Sequence, residues 1–291
     1  MPALPATLVK RILVFQKSEI TEYRIYSKLA AAVKDRANSR VLERIAADEL
    51  RHYDFWRAQT GREVRPCFWK VFLFFWMARI LGITFAIKLM ERGEEQAELN
   101  YTEISQAVPG AARIAEDEDQ HEKELIGLIE EERLNYMGSV VLGLNDALVE
   151  LTGALAGFTF ALQNTRLIAL AGLITGIAAS FSMAASEYLS TKSEGKAERA
   201  LTSAVYTGIA YILTVMLLIL PYLLVQNHFL CLGVTLLIAL TIIFLFNFYI
   251  SVARDYSFSK RFLEMAGLSL GVALLTFIIG FVIRRFLGVE V

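Results

Sequence analysis

Cysteine, histidine and one-signed charge are all scarce in this chain, and each scarcity removes a class of function. The 291 residues include two cysteines, Cys67 and Cys231, far apart and outside any Cys-x-x-Cys pair. They supply neither a disulfide framework nor a thiolate metal site. Lys and Arg total 29 against 30 Asp and Glu, a formal net charge of -1. No basic cluster stands without neighbouring acids, so nucleic acid is not an expected partner. The opening Met1-Pro2-Ala3-Leu4-Pro5 runs on to Lys10, Arg11 and Lys17 with no apolar core and small-residue cleavage site, and no secretory leader is read there. Strand signals are missing too, which points to an all-α fold.

What is present is unevenly distributed. Residues 1–136 hold 20 Lys/Arg and 22 Asp/Glu, whereas 137–291 hold 9 and 8. A water-facing domain at 1–136 is expected to join a domain built for hydrocarbon at 137–291. The break falls near Tyr136–Gly138, where Glu130-Glu131-Glu132 gives way to apolar sequence.

Five apolar segments follow, near 138–162, 166–186, 203–225, 229–252 and 266–283. Each is close to the roughly 20 residues that cross a bilayer. Lys192, Lys196 and Arg199 fall in one connector (Ser190–Arg199), and Arg254, Lys260 and Arg261 in another (Ala253–Glu264) two helices later. Those loops share a side with the N-terminal half, and their positive charge makes it the cytosol. Arg284 and Arg285 after the fifth span dissent from that rule, and snorkelling accommodates them.

Acids inside the spans are few. Asp146 and Glu150 stand four apart on the first, and Met183 and Glu187 four apart near the inner end of the second. A carboxylate in hydrocarbon is costly and reads by default as part of an ion or proton pathway. The alternative for Asp146 and Glu187 is an interfacial charge that snorkels to headgroups. A methionine beside a carboxylate adds a soft ligand that admits Fe²⁺ and has no use for Mg²⁺ or Ca²⁺.

Gly143-Leu144-Asn145-Asp146-Ala147-Leu148 resembles the first-helix motif of the vacuolar iron transporter family. Ser182-Met183-Ala184-Ala185-Ser186-Glu187-Tyr188-Leu189-Ser190 is similar to its second-helix motif, and the resemblance covers 137–291. It implies a dimeric, proton-coupled transporter of Fe²⁺, and in some members Mn²⁺, with Asp146 and Met183 as pore residues. Plant members carry an acidic helical insert between the second and third spans. Here that connection is only Ser190 to Leu201, with Glu194 and Glu198 as its acids.

Residues 6–136 read as helix throughout, at about 6–36, 38–59, 70–107 and 109–134, with breaks at Gly61–Pro66 and Pro109-Gly110. An internal repeat runs through them. Glu19 precedes Tyr26 by seven and Glu94 precedes Tyr101 by seven; Ile45-Ala46-Ala47-Asp48-Glu49-Leu50-Arg51-His52 parallels Ile114-Ala115-Glu116-Asp117-Glu118-Asp119-Gln120-His121. Each repeat thus offers one Glu and then a Glu-x-x-His whose two side chains share a helix face. Facing hairpins would gather Glu19, Glu49, His52, Glu94, Glu118 and His121 as a di-iron carboxylate ligand set in a four-helix bundle. Two of the three histidines occupy these positions.

This half resembles the rubrerythrin branch of the ferritin-like superfamily. Rubrerythrins offer a further glutamate on the third helix, where position 97 is Ala here. Glu91 and Glu98 lie on nearly the same face, as a seventh ligand, an access-path acid or plain solvated charge. The four-cysteine rubredoxin centre of many rubrerythrins is missing, which disfavours a peroxidase.

The apolar run Phe68–Ile87 is long enough to span a bilayer. A single span there would put Glu49/His52 and Glu118/His121 on opposite sides, so a surface-lying or subunit-packing helix is expected, fringed by Lys70, Arg79 and Lys88. End to end, the chain resembles the membrane-bound ferritins, fusions of an erythrin domain with a vacuolar iron transporter domain. The resemblance implies a homodimer in the cytoplasmic membrane, its N-terminal domain cytosolic, exporting Fe²⁺ against protons, with iron in the bundle and ferroxidase activity as its enzymatic side. A membrane-anchored ferroxidase or peroxidase without transport, or a manganese exporter with a di-manganese bundle, are the alternatives.

Overall fold

Ten α-helices and no strands make up the described residues of the computed structural model, which are 5–98, 108, 110–128 and 136–287. They form two compact units, Met1–Glu131 and Glu132–Val291.

The first unit contains α1 (Ala6–Ala32), α2 (Arg36–Thr60), α3 (Phe68–Leu81), α4 (Ile83–Glu98) and α5 (Ala111–Leu128). Asp35 caps α2 by accepting from the Ala37 N–H at 2.7 Å, and Gly61 closes it in the left-handed conformation at φ 64°. Helix α1 packs on α2 and α3, α3 on α4, and α5 on both α2 and α4. Two apolar clusters result. Ile25, Leu29, Leu42, Ile45 and Ile87 form one; Ile12, Phe15, Trp56, Ala111 and Ile114 form the other. On α1 and α2 most of the buried residues between these clusters are polar (Gln16, Glu19, Thr21 and Glu22; Glu49 and His52), and that intervening layer holds the site.

The expected single helix over 70–107 is a misreading. Gly82 takes φ 104° and ψ 152°, a conformation open to glycine but not to residues with a Cβ, and it divides α3 from α4. The apolar run on both sides hid this break. Helix α1 likewise stops at Ala32 rather than near 36, because Val33 turns extended. Most of α3 faces outward, with Phe68 69% and Trp69 70% exposed. Its 14 residues rise about 21 Å, short of the ~30 Å hydrocarbon core. We therefore expect Glu63→Cys and Ala112→Cys, placed before and after α3 in a Cys67→Ser, Cys231→Ser chain, to react with an impermeant maleimide from the same side of oriented vesicles. Opposite-sided labelling would make α3–α4 a span.

The second unit comprises α6 (Met137–Leu162), α7 (Thr165–Ser193), α8 (Ala197–Leu224), α9 (His228–Arg254) and α10 (Phe258–Leu287). All five are long and apolar enough to cross a membrane. Helix α6 packs against the other four. Its glycines allow this: a Cβ at Gly143 would collide with the Thr207 backbone of α8, and Gly157 meets Gly280 of α10 backbone to backbone. Asn164 and Asn227 cap α7 and α9 with their side-chain carbonyls. Ala147, Leu148, Leu151, Tyr211, Val215 and Ile243 build the core, while residues such as Ile174, Leu237 and Leu274 are exposed, as lipid-facing side chains would be. The charged connectors are tighter than expected. Helix α7 continues through Glu187 to Ser193, leaving Glu194–Lys196, and α10 begins at Phe258, leaving Asp255–Ser257. Both helices run on through polar and charged residues beyond the apolar stretch from which their ends were read.

Candidate metal centre and membrane path

The polar layer of the first unit is assembled by helical spacing. Glu19 follows Phe15 by one turn on α1, Glu49 and His52 lie between Ile45 and Trp56 on α2, and Glu118 and His121 follow Ile114 on α5. Glu19, Glu49, His52 and His121 are all buried, and Glu118 is half-buried. One ligand atom from each of Glu19, Glu49, His52 and Glu118 lies within 4.8 Å of the others.

The distances show how the two imidazoles are shared. Glu118 sets Oε1 at 3.0 Å from His52 Nδ1 and Oε2 at 3.6 Å from His121 Nδ1. Glu49 sets Oε2 at 4.0 Å from His52 Nδ1 and Oε1 at 3.5 Å from His121 Nδ1. Each of these carboxylates therefore directs one oxygen to each ring, the arrangement of a bridging ligand. Glu19 Oε2 reaches His52 Nδ1 at 3.5 Å, and its Oε1 accepts from Trp56 Nε1 at 3.0 Å. The rings stand 5.9 Å apart.

Two residues escaped the sequence reading. His52 Nε2 lies 3.3 Å from Asp117 Oδ2, and His121 Nε2 2.9 Å from Asp48 Oδ2. Each aspartate precedes the glutamate of the opposite repeat, so the motif is Asp-Glu-x-x-His twice over. A carboxylate on Nε2 orients the ring and leaves Nδ1 facing Glu118. The aspartates stood in the aligned repeats, but the crossed pairing exists only once α2 and α5 meet.

The electrostatics suit a cation. Burial pushes Glu49 well above the usual carboxylate range, and the charges of Glu118, Glu19 and Glu22 add to it. Burial works to lower His52, but hydrogen bonding and ion pairing with Glu118 and Glu19 prevail and raise it to about 10. His121 is raised in the same way, against burial, by Glu118 and Asp48. Glu118 falls to about 2, because the two histidines overcome its burial. Glu49 Oε2 and His121 Nδ1 are buried with no hydrogen bond among the described residues. Such atoms, in a set of carboxylates and imidazoles, could hold a metal ion. Glu94, with Glu91 and Glu98, falls outside the residues whose side chains are described.

A pH dependence follows for the metal-free protein. The raised His52 contributes stability that is complete below pH 6.5 and lost as pH rises through about 10. The raised Glu49 contributes fully only below about pH 4.5 and loses that contribution as pH rises from there, since the unfolded carboxyl ionises while the folded one holds its proton. Glu118 acts oppositely, contributing above pH 4.5 and failing as pH falls through about 2. The first unit is thus expected to be most stable near about pH 4.5 and to weaken as pH rises, more steeply once past 6.5. Trp56, Trp69 and Trp76 are the three tryptophans and all lie in this unit, so fluorescence-monitored denaturation of the whole chain reads it selectively. Added Co²⁺ should remove the alkaline loss by displacing the imidazolium protons. A denaturation midpoint that rises from pH 6 to 9 without metal would contradict this electrostatic account.

In the second unit, Asp146 is half-buried on α6. Met183, half-buried on α7, packs against the cluster containing Ala147 and Leu148. Glu150 is exposed and accepts a 2.7 Å hydrogen bond from the wholly buried Tyr211. Glu187 is half-buried and accepts from Ser139 at 2.6 Å and Thr191 at 3.4 Å. Tyr211 and Ser139 were missed because they lie 61 and 48 residues from their partners.

An all-helical chain with five helices able to cross a bilayer, and a buried Glu/His cluster in its other unit, is an integral membrane protein equipped with metal-ion donors. Residues 137–202, which contain Asp146, Glu150, Met183 and Glu187, match the family model described as VIT family. This match and the five apolar helices support a vacuolar iron transporter-type membrane domain, consistent with metal-ion transport. No curated protein matches the chain.

Proposed function

We propose that the protein exports Fe²⁺ from the cytosol through its membrane unit, driven by protons, with the first unit acting as a ferritin-like di-iron domain on the cytosolic side. The observation that carries this reading is that the VIT family segment contains Asp146 and Met183, a charged and a soft donor on neighbouring helices. Asp146 supplies charge to offset the desolvation of the dication, and Met183 a contact that disfavours hard ions. Glu150 and Glu187 extend the carboxylate path. Transport as a homodimer is part of the same reading.

In the first unit, Glu19, Glu49, His52, Glu118 and His121, with Glu94, would hold two iron ions. Such a pair supplies electrons to O₂ or peroxide when bound. The protein's own contribution is to share Glu49 and Glu118 between both imidazoles, to fix each ring through Asp117 or Asp48, and to exclude water with the two apolar clusters. The domain then feeds or regulates the pore. Manganese fits the same donors and is the competing ion.

A second reading, a membrane-anchored ferroxidase, is favoured by one observation: the Glu/His cluster is built within the first unit alone. The deciding experiment is Fe²⁺ and Mn²⁺ flux in proteoliposomes under a pH gradient, with metal analysis of the purified chain. Proton-dependent Fe²⁺ flux is expected. Bound iron without flux would leave the ferroxidase reading in place.

A further inference from the structure

We propose that α3 docks on the bilayer surface, lying in the plane of an anionic leaflet with its aromatic face in the headgroup region, and so holds the first unit at the membrane. This goes beyond the transport reading. It depends only on the chain being anchored by its second unit, whose five helices are long and apolar enough to cross a membrane.

Helix α3 is apolar on both sides. Val71 and Ala78 are buried in the cluster that includes Ile25 and Leu29. At about 100° per residue, the opposite side carries Trp69, Phe72, Leu73 and Trp76, spaced i, i+3, i+4 and i+7, and all four are exposed. Trp69 stacks on Phe72 with ring centroids 5.9 Å apart, and Phe72 lies 6.2 Å from Trp76, so the rings form one continuous surface. A contiguous apolar patch on a protein surface marks an interaction site, and a helix that is apolar all round is a covered one. Lys70 and Arg79, both exposed, fall about a quarter-turn to either side of that face. Cations placed so can reach lipid phosphates while the rings between them sit deeper, which is the arrangement of an interfacial helix.

Charge decides what covers the face. From Val64 to Met90 the sequence has Arg65, Lys70, Arg79 and Lys88 and no acid, although residues 1–136 as a whole carry 20 Lys/Arg and 22 Asp/Glu. A second copy docking about a two-fold axis would set this acid-free strip against itself, and lysine is depleted in the cores of protein interfaces. An anionic leaflet offers the complementary charge, and tryptophan favours the membrane–water boundary. A bilayer is also always within reach, since only residues 129–136 join α5 to α6, the first of the five apolar helices. Docking engages the scaffold of the Glu/His cluster as well. The Cys67 N–H at the start of α3 donates to Thr21 Oγ1 at 2.9 Å, two residues from Glu19 on α1.

The test uses the full chain in vesicles of phosphatidylcholine and phosphatidylglycerol whose acyl chains are brominated either near the headgroup or near the terminal methyl. The second unit has no tryptophan and Trp56 is wholly buried, so Trp69 and Trp76 are the residues open to a lipid-borne quencher. Shallow bromines are expected to quench about twofold more than deep ones, as suits a helix lying at the acyl boundary. In the Trp69→Phe, Trp76→Phe chain, where Trp56 alone emits, that quenching should vanish. Lys70→Glu with Arg79→Glu turns two attractions of about fivefold each into repulsions and should remove about half of the quenching or more, as should vesicles of phosphatidylcholine alone. Trp56 emission that stays constant when the charge reversals are made in the two-phenylalanine background certifies that the unit is still folded. Quenching no greater than that of Trp56 alone would overturn the proposal. Shielding of Trp69 and Trp76 from aqueous acrylamide without quenching by lipid would assign the face to a second copy and overturn it too. Stronger quenching by the deep bromines would make α3 an inserted segment, and quenching indifferent to both charge arms would overturn the anionic leaflet as its partner.

Discussion

Asp146→Ala should lower Fe²⁺ flux at least tenfold, the equivalent of about 1.4 kcal/mol in the transport barrier. A dication crossing a low-dielectric path needs a compensating charge, and the half-buried Asp146 is the carboxylate within α6 placed beside the apolar core. Glu150 lies four residues on but is exposed and engaged by Tyr211, so it is not expected to substitute. Met183→Leu keeps an apolar side chain against the core of the second unit and deletes only the sulfur; its flux should fall less, with weaker discrimination between Fe²⁺ and Mg²⁺. The measurement is initial Fe²⁺ flux in proteoliposomes with an imposed pH gradient. Wild-type flux in Asp146→Ala would remove this pathway.

Glu49→Ala should have the largest effect on the first unit, weakening both bound ions by about a hundredfold or more. Loss of groups that merely orient ligands costs about 10–100-fold, and Glu49 does more. Its two oxygens address both imidazoles, at 4.0 Å from His52 and 3.5 Å from His121, so no ion position survives its removal unchanged. Anaerobic Fe²⁺ titration of the full chain, read by tryptophan quenching in the Asp146→Ala background, gives the stoichiometry. Two ions in the parent and fewer than one in the variant are expected. Unchanged binding would refute the bridging role. In the otherwise wild-type chain, residual flux in Glu49→Ala would show that this domain feeds or regulates the pore without forming part of it.

Much of this was legible without coordinates, because helices impose a local rule. Residues three or four apart share a face, so the pairings of Glu49 with His52, Glu118 with His121 and Asp146 with Glu150 could be read along the chain. Hydropathy likewise announced five helices able to cross a bilayer, since the length of an apolar run maps directly onto its reach. Gly82 was the local exception: flanking apolar residues concealed a backbone conformation that only φ reveals.

What tertiary structure decided was which faces meet. Helical periodicity orders side chains around one axis but carries no information about the azimuth of another helix. The crossing of Asp48 to His121 and Asp117 to His52 depends on α2 and α5 packing at one particular rotation. So does the sharing of Glu49 and Glu118 between two rings, while the engagement of Glu150 by Tyr211 and Glu187 by Ser139 depends in the same way on how α6 meets α8 and α7. Residue types and local spacing thus came from the sequence itself. The choice between a solvated acid and a site carboxylate came from apolar clusters that form only when distant helices exclude water together.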